Sequence, residues 1–430
     1  MTQILGLRIP PKDSQKVSQK DSQKDSQKGK PTVYAPIVED LKAFVTRYPA
    51  REIQFRQAIY DATNPANGGA EEMKAEGINT LEDYFRYCQD LLHWAPTVTS
   101  GNNELLRKLL VFHWVLNQPS VIDLQTPVNP AAANDNPTWL SYWQVSYARE
   151  IGRWLSTKES TGGIQSFYDN TMFNQEAHLW QDPPAGGWES FNQFFARHWK
   201  DVDVARPLSE EDQAENVIVS AADSIFNGNW DVQQGFVTIK GFVWPISKLL
   251  QNAAADFASG SFMNAFLTPT DYHRQHAPIS GKVIEARVIQ EQVYLQLTTM
   301  SEGNGKVGLA LDRGLLVPQS LRKKGLGKEP QELDGPDEPT HQWCQTRGLI
   351  VIENEIYGKV AVLPIGLAHI SSVVLHIEVG QDIVKGQEIS NFAYGGSDMV
   401  LVFQHPVEYM VNKGDKCNIR TRIATFKPPN

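Results

Sequence analysis

The residue pattern of this 430-residue chain changes at one point, the segment Pro183–Gly187 (PPAGG). Before this segment, apolar residues recur with the spacing of amphipathic helices. After it, short runs rich in Val, Ile and Leu alternate with Gly and Asn, which is typical of short antiparallel strands. The sequence therefore predicts an α+β protein, with a helical N-terminal domain at 32–182 and a β-rich, mostly antiparallel domain at 186–430.

Four helices are predicted in the first half. One helix face carries Val38, Leu41, Phe44, Val45 and Tyr48. A second helix follows Thr80, which together with Asp83 three residues on forms an N-cap signal. Two more are predicted at 103–116 and 138–157. None of these helices carries a cluster of residues that suggests chemistry.

Two segments are predicted to lack fixed structure. Residues 12–30 form a degenerate repeat of Asp, Ser, Gln and Lys in which Val17 is the one apolar residue. Such a segment cannot bury enough surface to offset its ordering entropy, so residues 1–31 are predicted to be a disordered tail. Residues 318–342 are charged and rich in Pro and Gly, and they predict a mobile insertion.

Composition and charge argue against several functions. The formal net charge of −9 disfavours electrostatic binding of nucleic acid. No apolar run approaches the roughly 20 residues that span a bilayer, and the polar N-terminus is unlike a signal peptide. The three cysteines, at 88, 344 and 417, match no metal-binding spacing, so free thiols and a cytoplasmic location are expected.

Four segments of the β-rich half could carry chemistry: 219–224 (VSAADS), 270–278 (TDYHRQHAP), 385–389 (KGQEI) and 394–398 (YGGSD). Taken singly, each has an ordinary structural explanation, such as a strand-end turn or a hairpin. The pair His273 and His276 could bind a metal, act as acid and base, or simply pack. Because no third ligand motif accompanies the pair, no metal site is predicted.

In this order and spacing, the four segments resemble the phosphatidylserine decarboxylase family of pyruvoyl enzymes. The resemblance runs from about Trp188 to the C-terminus and is strongest over 266–281 (FLTPTDYHRQHAPISG). It implies a proenzyme that cuts itself at the bond between Gly396 and Ser397, giving a β chain of 1–396 and an α chain of 397–430. The hydroxyl of Ser397 would attack the Gly396 carbonyl, and elimination and hydrolysis would leave a pyruvoyl group as a self-generated cofactor.

The resemblance also implies roles for named residues. Asp223, His276 and Ser397 match the family's Asp-His-Ser relay for self-cleavage. His273 matches the histidine of the decarboxylation step. The pyruvoyl group would form a Schiff base with the substrate amine and accept electrons as CO2 leaves.

Within the segments that carry the reactive residues, three positions depart from the family pattern. Ala222 and Ser224 stand where Pro and Gly are usual. Asp398 stands where Ser or Thr usually follows the reactive serine. A carboxylate beside the developing oxyanion would repel it, so slow self-cleavage is one expectation.

The substrate is less sharply indicated. The segments 95–98 (APTV) and 366–372 (GLAHISS) resemble the soluble branch of the family that contains tryptophan decarboxylases, although His369 is a departure. This branch implies a free, possibly aromatic L-amino acid as substrate. The alternative is phosphatidylserine, decarboxylated to phosphatidylethanolamine. Family members often self-associate, so a homodimer is also compatible with the resemblance.

A second class of function stays open. Segments 279–283 (ISGKV) and 379–387 (VGQDIVKGQ) resemble the turns of biotinyl and lipoyl carrier domains. A β-rich domain with such turns could be a non-catalytic binding module. Carriers present a lysine in the tight turn, whereas Gly395-Gly396-Ser397 occupies the matching hairpin here. Shared turns therefore indicate similar architecture more than similar function.

Overall fold

The structure is a computed structural model that describes residues 33–98, 104–130, 136–239, 242–303, 306–312, 341–370 and 372–427. The predicted tail at 1–31 lies outside these residues, and so does most of the predicted insertion at 318–342. The Ser397 side chain is also outside the description, although the backbone of Gly396 and Ser397 is within strand β15.

The first part of the chain is helical, as predicted. Its helices are α1 (Pro36–Thr46), α2 (Pro49–Thr63), α3 (Ala70–Ala75), α4 (Leu81–Leu91), α5 (Glu104–Leu116), α6 (Trp139–Leu155), α7 (Gln165–Asp169), α8 (Phe191–Phe195) and α9 (Val202–Ala205). A further short helix, α10 (Ile246–Leu250), lies among the strands.

The predicted face of the first helix is confirmed except at its end. Val38, Leu41 and Val45 are buried, whereas Tyr48 is 51% exposed. The reason is Pro49, which starts α2 with Tyr48 as its N-cap and so interrupts the helical run.

The predicted capping signal of α4 is confirmed. The Thr80 hydroxyl accepts a hydrogen bond from the Asp83 amide at 3.2 Å, and the Thr80 amide donates to the Asp83 carboxylate at 2.9 Å. These two bonds satisfy N–H groups that a helix start leaves without intrahelical acceptors.

The second part is built from short strands. They are β1 (Val217–Val219), β2 (Ser224–Asp231), β3 (Phe236–Ile239), β4 (Phe242–Pro245), β5 (Ser261–Phe266), β6 (Arg274–His276), β7 (Gly281–Ile289), β8 (Gln296–Gly303), β9 (Lys306–Asp312), β10 (Arg347–Asn354), β11 (Gly358–Gly366), β12 (Val373–Leu375), β13 (Asp382–Ile383), β14 (Glu388–Phe392), β15 (Gly396–Phe403), β16 (Val407–Tyr409), β17 (Lys416–Cys417) and β18 (Arg422–Phe426). The pairings between these strands are antiparallel, as predicted.

One eight-stranded sheet dominates, in the order β13-β7-β10-β11-β15-β5-β2-β17. Smaller sheets are β1-β18-β16 and β12-β14-β6. Strand β15 lies between β11 and β5, and its side chains alternate between two cores. Met399 and Leu401 belong to one hydrophobic cluster, while Val400 and Val402 belong to the cluster on the other face.

The helical and β-rich parts share a hydrophobic core. The cluster that contains Phe112 and Trp143 of the helices also contains Tyr272, Ala368 and Tyr394. The β8–β9 hairpin packs on the helices as well, and its Leu309 amide donates to the Glu72 carboxylate at 2.9 Å. The helical part therefore covers one side of the segment that precedes Gly396.

Candidate active site

The Gly396–Ser397 bond lies at an irregularity of the central sheet. Gly396 is opposite Gly366 on β11, but Asp398 is opposite Ile365, so β15 carries one extra residue at this point. Such a β-bulge leaves the extra residue outside the regular ladder and is common beside active sites. Gly395 has φ +108°, a conformation that side chains rarely adopt. The bond predicted to be cut therefore lies at the start of β15, where the regular strand pairing is interrupted.

Of the two candidate histidines, His276 lies on a strand adjacent to this segment and His273 lies just before that strand. Strand β6 carries His276 and pairs with β14, which leads into Gly396. The Phe392 amide, four residues before Gly396, donates to the His273 carbonyl at 2.9 Å. These backbone hydrogen bonds therefore hold β6 next to the segment that precedes the Gly396–Ser397 bond.

His273 is 2% exposed and lies against the ring of Phe195, with the ring centroids 4.0 Å apart. Burial lowers the pKa of His273 to about 3, and the charges of Arg197 and Lys416 act in the same direction. Its Nδ1 has no hydrogen-bond partner among the described atoms. The imidazole is therefore neutral near pH 7 and retains an unused nitrogen.

His276 is 3% exposed, and its Nδ1 lies 2.7 Å from the Gly386 carbonyl oxygen. Because a carbonyl accepts, Nδ1 carries the proton and Nε2 presents a lone pair. Nε2 is buried without a hydrogen-bond partner among the described atoms. Burial lowers the pKa of His276 to about 4, so this ring is also neutral near pH 7. A neutral imidazole with Nε2 free is the form that can accept a proton from a hydroxyl.

Asp223 lies in the turn between β1 and β2 and is buried. Its Oδ2 accepts two hydrogen bonds from Arg206, and its Oδ1 accepts the Ile419 amide at 2.8 Å. Burial raises the pKa of Asp223, while the hydrogen bonds and charge of Arg206 act in the opposite direction. The side chain is held in one orientation by these contacts.

The structure brings Asp223 and His276 into one neighbourhood without joining their side chains. The His276 amide donates to the Ala221 carbonyl at 2.9 Å, two residues from Asp223. The carboxylate, however, makes its hydrogen bonds to Arg206 and Ile419, and the imidazole makes its own to Gly386. The relay expected from the resemblance therefore remains a prediction.

Arg206 is a residue of this site to which the sequence assigned no role. Its guanidinium also donates to both oxygens of Glu176, at 2.9 and 2.7 Å, and lies over the ring of Trp199. Burial lowers the pKa of Arg206, but the hydrogen bonds to Glu176 and Asp223 more than offset this, and the net pKa is raised. No periodicity or motif in the sequence indicates its two carboxylate partners.

Asp398 is fully buried, and its carboxylate lies 3.4 Å from the Asn264 amide nitrogen. Asn264 in turn accepts a hydrogen bond from Asn227 at 2.7 Å. In the alternation of β15, Asp398 shares the face of Val400 and Val402. The strand paired with β6 contributes Phe392 to the cluster of Met399, on the opposite face. The sheet thus lies between the Asp398 carboxylate and the core next to the histidine strand.

Among the described residues, no group of three or more His, Cys, Asp or Glu side chains is arranged to hold a metal ion. The cysteines Cys88, Cys344 and Cys417 are free and buried. No helix in the described part of the chain is long and apolar enough to cross a bilayer.

Comparison with protein-family models gives a match to "Phosphatidylserine decarboxylase" over residues 191–425. The matched region includes Asp223, both histidines and the Gly396–Ser397 bond. It begins at α8, so most of the helical part precedes it.

Among similar curated proteins, phosphatidylserine decarboxylase proenzyme 3 of Schizosaccharomyces pombe is 28% identical over 57% of this chain and 22% of its own length. A phosphatidylserine decarboxylase proenzyme of Fusobacterium nucleatum is 26% identical, over 64% of this chain and 78% of its own. An L-tryptophan decarboxylase of Psilocybe cubensis is 23% identical, over 64% of this chain and 60% of its own. Relatives with two different substrates thus match at similar, low identity.

Proposed function

The chain belongs to the phosphatidylserine decarboxylase family, whose proenzymes make a pyruvoyl group from a serine, and we propose that it cuts itself between Gly396 and Ser397 to become a pyruvoyl-dependent decarboxylase. The observation that carries this proposal is the course of β14. This strand pairs with the strand that bears His276 and leads directly into the Gly396–Ser397 bond at the bulge.

We propose that self-cleavage uses the Ser397 hydroxyl as the nucleophile and the neutral His276 imidazole as the base. Nε2 of His276 accepts the hydroxyl proton while the oxygen of Ser397 attacks the Gly396 carbonyl, and the peptide bond becomes an ester. Loss of the Ser397 α-hydrogen and of the Gly396 carboxylate gives dehydroalanine. Water then replaces the imine form of this residue with a ketone and releases ammonia.

The remaining steps belong to the new cofactor. The ketone condenses with the substrate amine, and the conjugated carbonyl accepts the electron pair released as CO2 departs. His273 either donates the proton that returns to the substrate carbon or positions the substrate. Its burial against Phe195 keeps bulk water away from that step.

For the substrate, we propose a free L-amino acid with an aromatic side chain. Both histidines are buried, and the helical part packs over the approach to the bond, where the Asn192 side chain accepts the Tyr394 amide at 3.1 Å. A small amino acid can enter such an enclosed site whole, whereas a phospholipid must keep its acyl chains in a bilayer or in an open groove. The similarity to an L-tryptophan decarboxylase supports the same choice.

Phosphatidylserine is the second candidate substrate. The observation in its favour is that the fission yeast and Fusobacterium relatives are phosphatidylserine decarboxylase proenzymes. In either case the cleaved chains 1–396 and 397–430 are each other's partners. A cytoplasmic location is proposed because the three cysteines are free thiols. A homodimer is also proposed, on family resemblance alone.

Intact mass spectrometry of the purified, denatured protein tests the first proposal. Two chains that separate between Gly396 and Ser397, with a pyruvoyl cap on the smaller, are expected. The variant Ser397→Ala is the control and should remain one chain. An uncut wild-type chain would overturn the proposal and favour the non-catalytic binding module.

The substrate is then decided by CO2 release from the cut protein. Tryptophan, tyrosine, phenylalanine, ornithine, serine and phosphatidylserine micelles are offered separately. Release from the aromatic amino acids supports the proposal, and release from phosphatidylserine alone replaces it with the second candidate.

A further inference from the structure

A small cavity lies where the helical part meets the segment before Gly396. Six apolar side chains of the helical part line it: Leu91, Trp94, Leu105, Leu109, Ile151 and Leu155. The β-rich part contributes His369 and Tyr394. Lys108 also borders the cavity, but its amine is 2.8 Å from the Glu76 carboxylate. The cavity as it stands has room for about one water molecule.

Of the residues that line this cavity, His369 has a ring nitrogen available for a hydrogen bond. It is buried, and its Nδ1 lies 3.2 Å from Nε2 of His113 on α5. Nε2 of His369 is therefore the ring nitrogen that remains for another partner. Burial lowers the pKa of His369 to about 3, which keeps the ring neutral. The reaction proposed above uses neither of these histidines.

The cavity is connected by direct contacts to the reacting groups. Tyr394 lies two residues before Gly396, and its ring contacts that of Phe195, with the centroids 5.2 Å apart. Phe195 in turn lies against His273, with the centroids 4.0 Å apart. A molecule whose amine has condensed at residue 397 could thus extend its side chain toward this cavity.

We propose that in the cut protein this cavity receives the substrate side chain and selects an aromatic ring that carries an N–H or O–H group. The apolar walls match the ring. In the tautomer whose Nδ1–H donates to Nε2 of His113, Nε2 of His369 accepts a hydrogen bond from the polar group of the ring. This inference rests on the proposed decarboxylase function and adds to it a specificity-determining residue. The preferred substrates are then of the tryptophan or tyrosine type rather than the phenylalanine type.

The cavity must enlarge to hold a ring, and Tyr394 is the wall residue that self-cleavage can release. In the uncut chain, Tyr394 is followed within three residues by strand β15 and is fixed from both sides. After cleavage, residues 394–396 form the free end of the longer chain. Withdrawal of the Tyr394 ring would then vacate a space of aromatic size.

Calorimetric titration of the cut protein with indole and with benzofuran tests this proposal. The two rings have nearly the same shape, but benzofuran has no N–H. Indole should bind about tenfold more tightly, the worth of one buried hydrogen bond at the upper end of its usual range. His369→Leu should bind both rings equally, and the exposed His178→Leu should behave like the wild type. His369→Gln, whose amide can still bond, should restore part of the difference.

Each outcome separates this inference from the function on which it rests. If wild type shows no preference for indole, or His369→Leu keeps it, the pocket assignment is wrong even if amino acids are decarboxylated. If the preference is found but no amino acid releases CO2, the proposed substrate class is wrong and the cavity is a binding site for polar aromatic rings but not for a substrate side chain. Equal indole affinity in uncut Ser397→Ala and cut wild type would refute the release of Tyr394.

Discussion

Arg206 donates two hydrogen bonds to a single oxygen of Asp223, from Nε at 2.9 Å and from Nη2 at 2.7 Å. Both residues are buried, and the other Asp223 oxygen is taken by the Ile419 amide. A carboxylate held in this way cannot turn freely toward an imidazole. In the uncut chain, Asp223 therefore contributes a fixed charge near His276, whose own orientation comes from the Gly386 carbonyl.

Replacement of Arg206 by Met should destabilise the fold. The change leaves Asp223 buried without its counter-ion, which typically costs about 3–5 kcal/mol of unfolding free energy. Urea denaturation of the Ser397→Ala background, which stays one chain, measures it. Arg153→Met is the matched control, because Arg153 pairs with Glu150 at an exposed site and such pairs contribute roughly 0–1 kcal/mol. If Arg206→Met lowers the free energy of unfolding by less than about 1 kcal/mol, the buried Asp223 carboxylate does not depend on the positive charge of Arg206.

The two histidines should separate cleavage from turnover. His276→Ala removes the proposed base and should slow self-cleavage by about 10²–10⁴-fold. His273→Ala should cut at nearly the wild-type rate but release little CO2 per pyruvoyl group. Time courses of chain cleavage and of CO2 release measure the two rates. The assignments are wrong if His273→Ala turns over normally or if His276→Ala cuts normally.

Self-cleavage should be nearly independent of pH between about 5.5 and 8 as far as His276 is concerned. The active form is the neutral ring, and burial lowers its pKa from 6.5 to about 4. The rate should therefore fall only as the pH drops through about 4, where Nε2 becomes protonated. Freshly translated chain, moved to buffers of different pH, provides the rates. Half-loss of rate near pH 6.5 would indicate a solvent-exposed histidine as the base.

Asp398→Asn should leave the rate of self-cleavage within about threefold of the wild type. The carboxylate lies on the Val400 face, next to Asn264, and the sheet separates it from the core beside the histidine strand. Asp398→Leu should instead lower stability by about 1–3 kcal/mol, because Asn264 loses a buried partner. Cleavage rates and urea midpoints of both variants decide this. A hundredfold faster cut in Asp398→Asn would show that the carboxylate opposes the developing oxyanion.

Local signals in the sequence predicted the local structure well. Thr80 and Asp83 are three residues apart, and a capping box needs nothing beyond that spacing. The alternation of β15 and the antiparallel pairings also follow from short-range patterns. The apolar run at 292–298 predicts a strand over its whole length, but β8 begins only at Gln296, and Val293 and Tyr294 are buried before it.

The contacts that define the site are long-range, and the sequence carried little sign of them. Arg206 meets Glu176 across 30 positions, and His369 meets His113 across 256. No periodicity links such residues, so pairings of this kind require the folded chain. The resemblance assigned roles to Asp223 and the histidines. It did not indicate that Arg206 hydrogen-bonds to Asp223 or that the Gly386 carbonyl orients His276.

The position of β15 has a consequence for the cut protein. The strand lies between β11 and β5, both from the longer chain, and β18 of the same peptide pairs with β1 of the longer chain. The 34-residue peptide that would carry the cofactor therefore contributes strands to sheets that are otherwise formed by the longer chain. It should stay in place through native chromatography and leave only on denaturation. Residues 1–396 made alone would have an open slot in the middle of the sheet, with two unpaired strand edges facing each other, and should aggregate unless the missing peptide is supplied in trans.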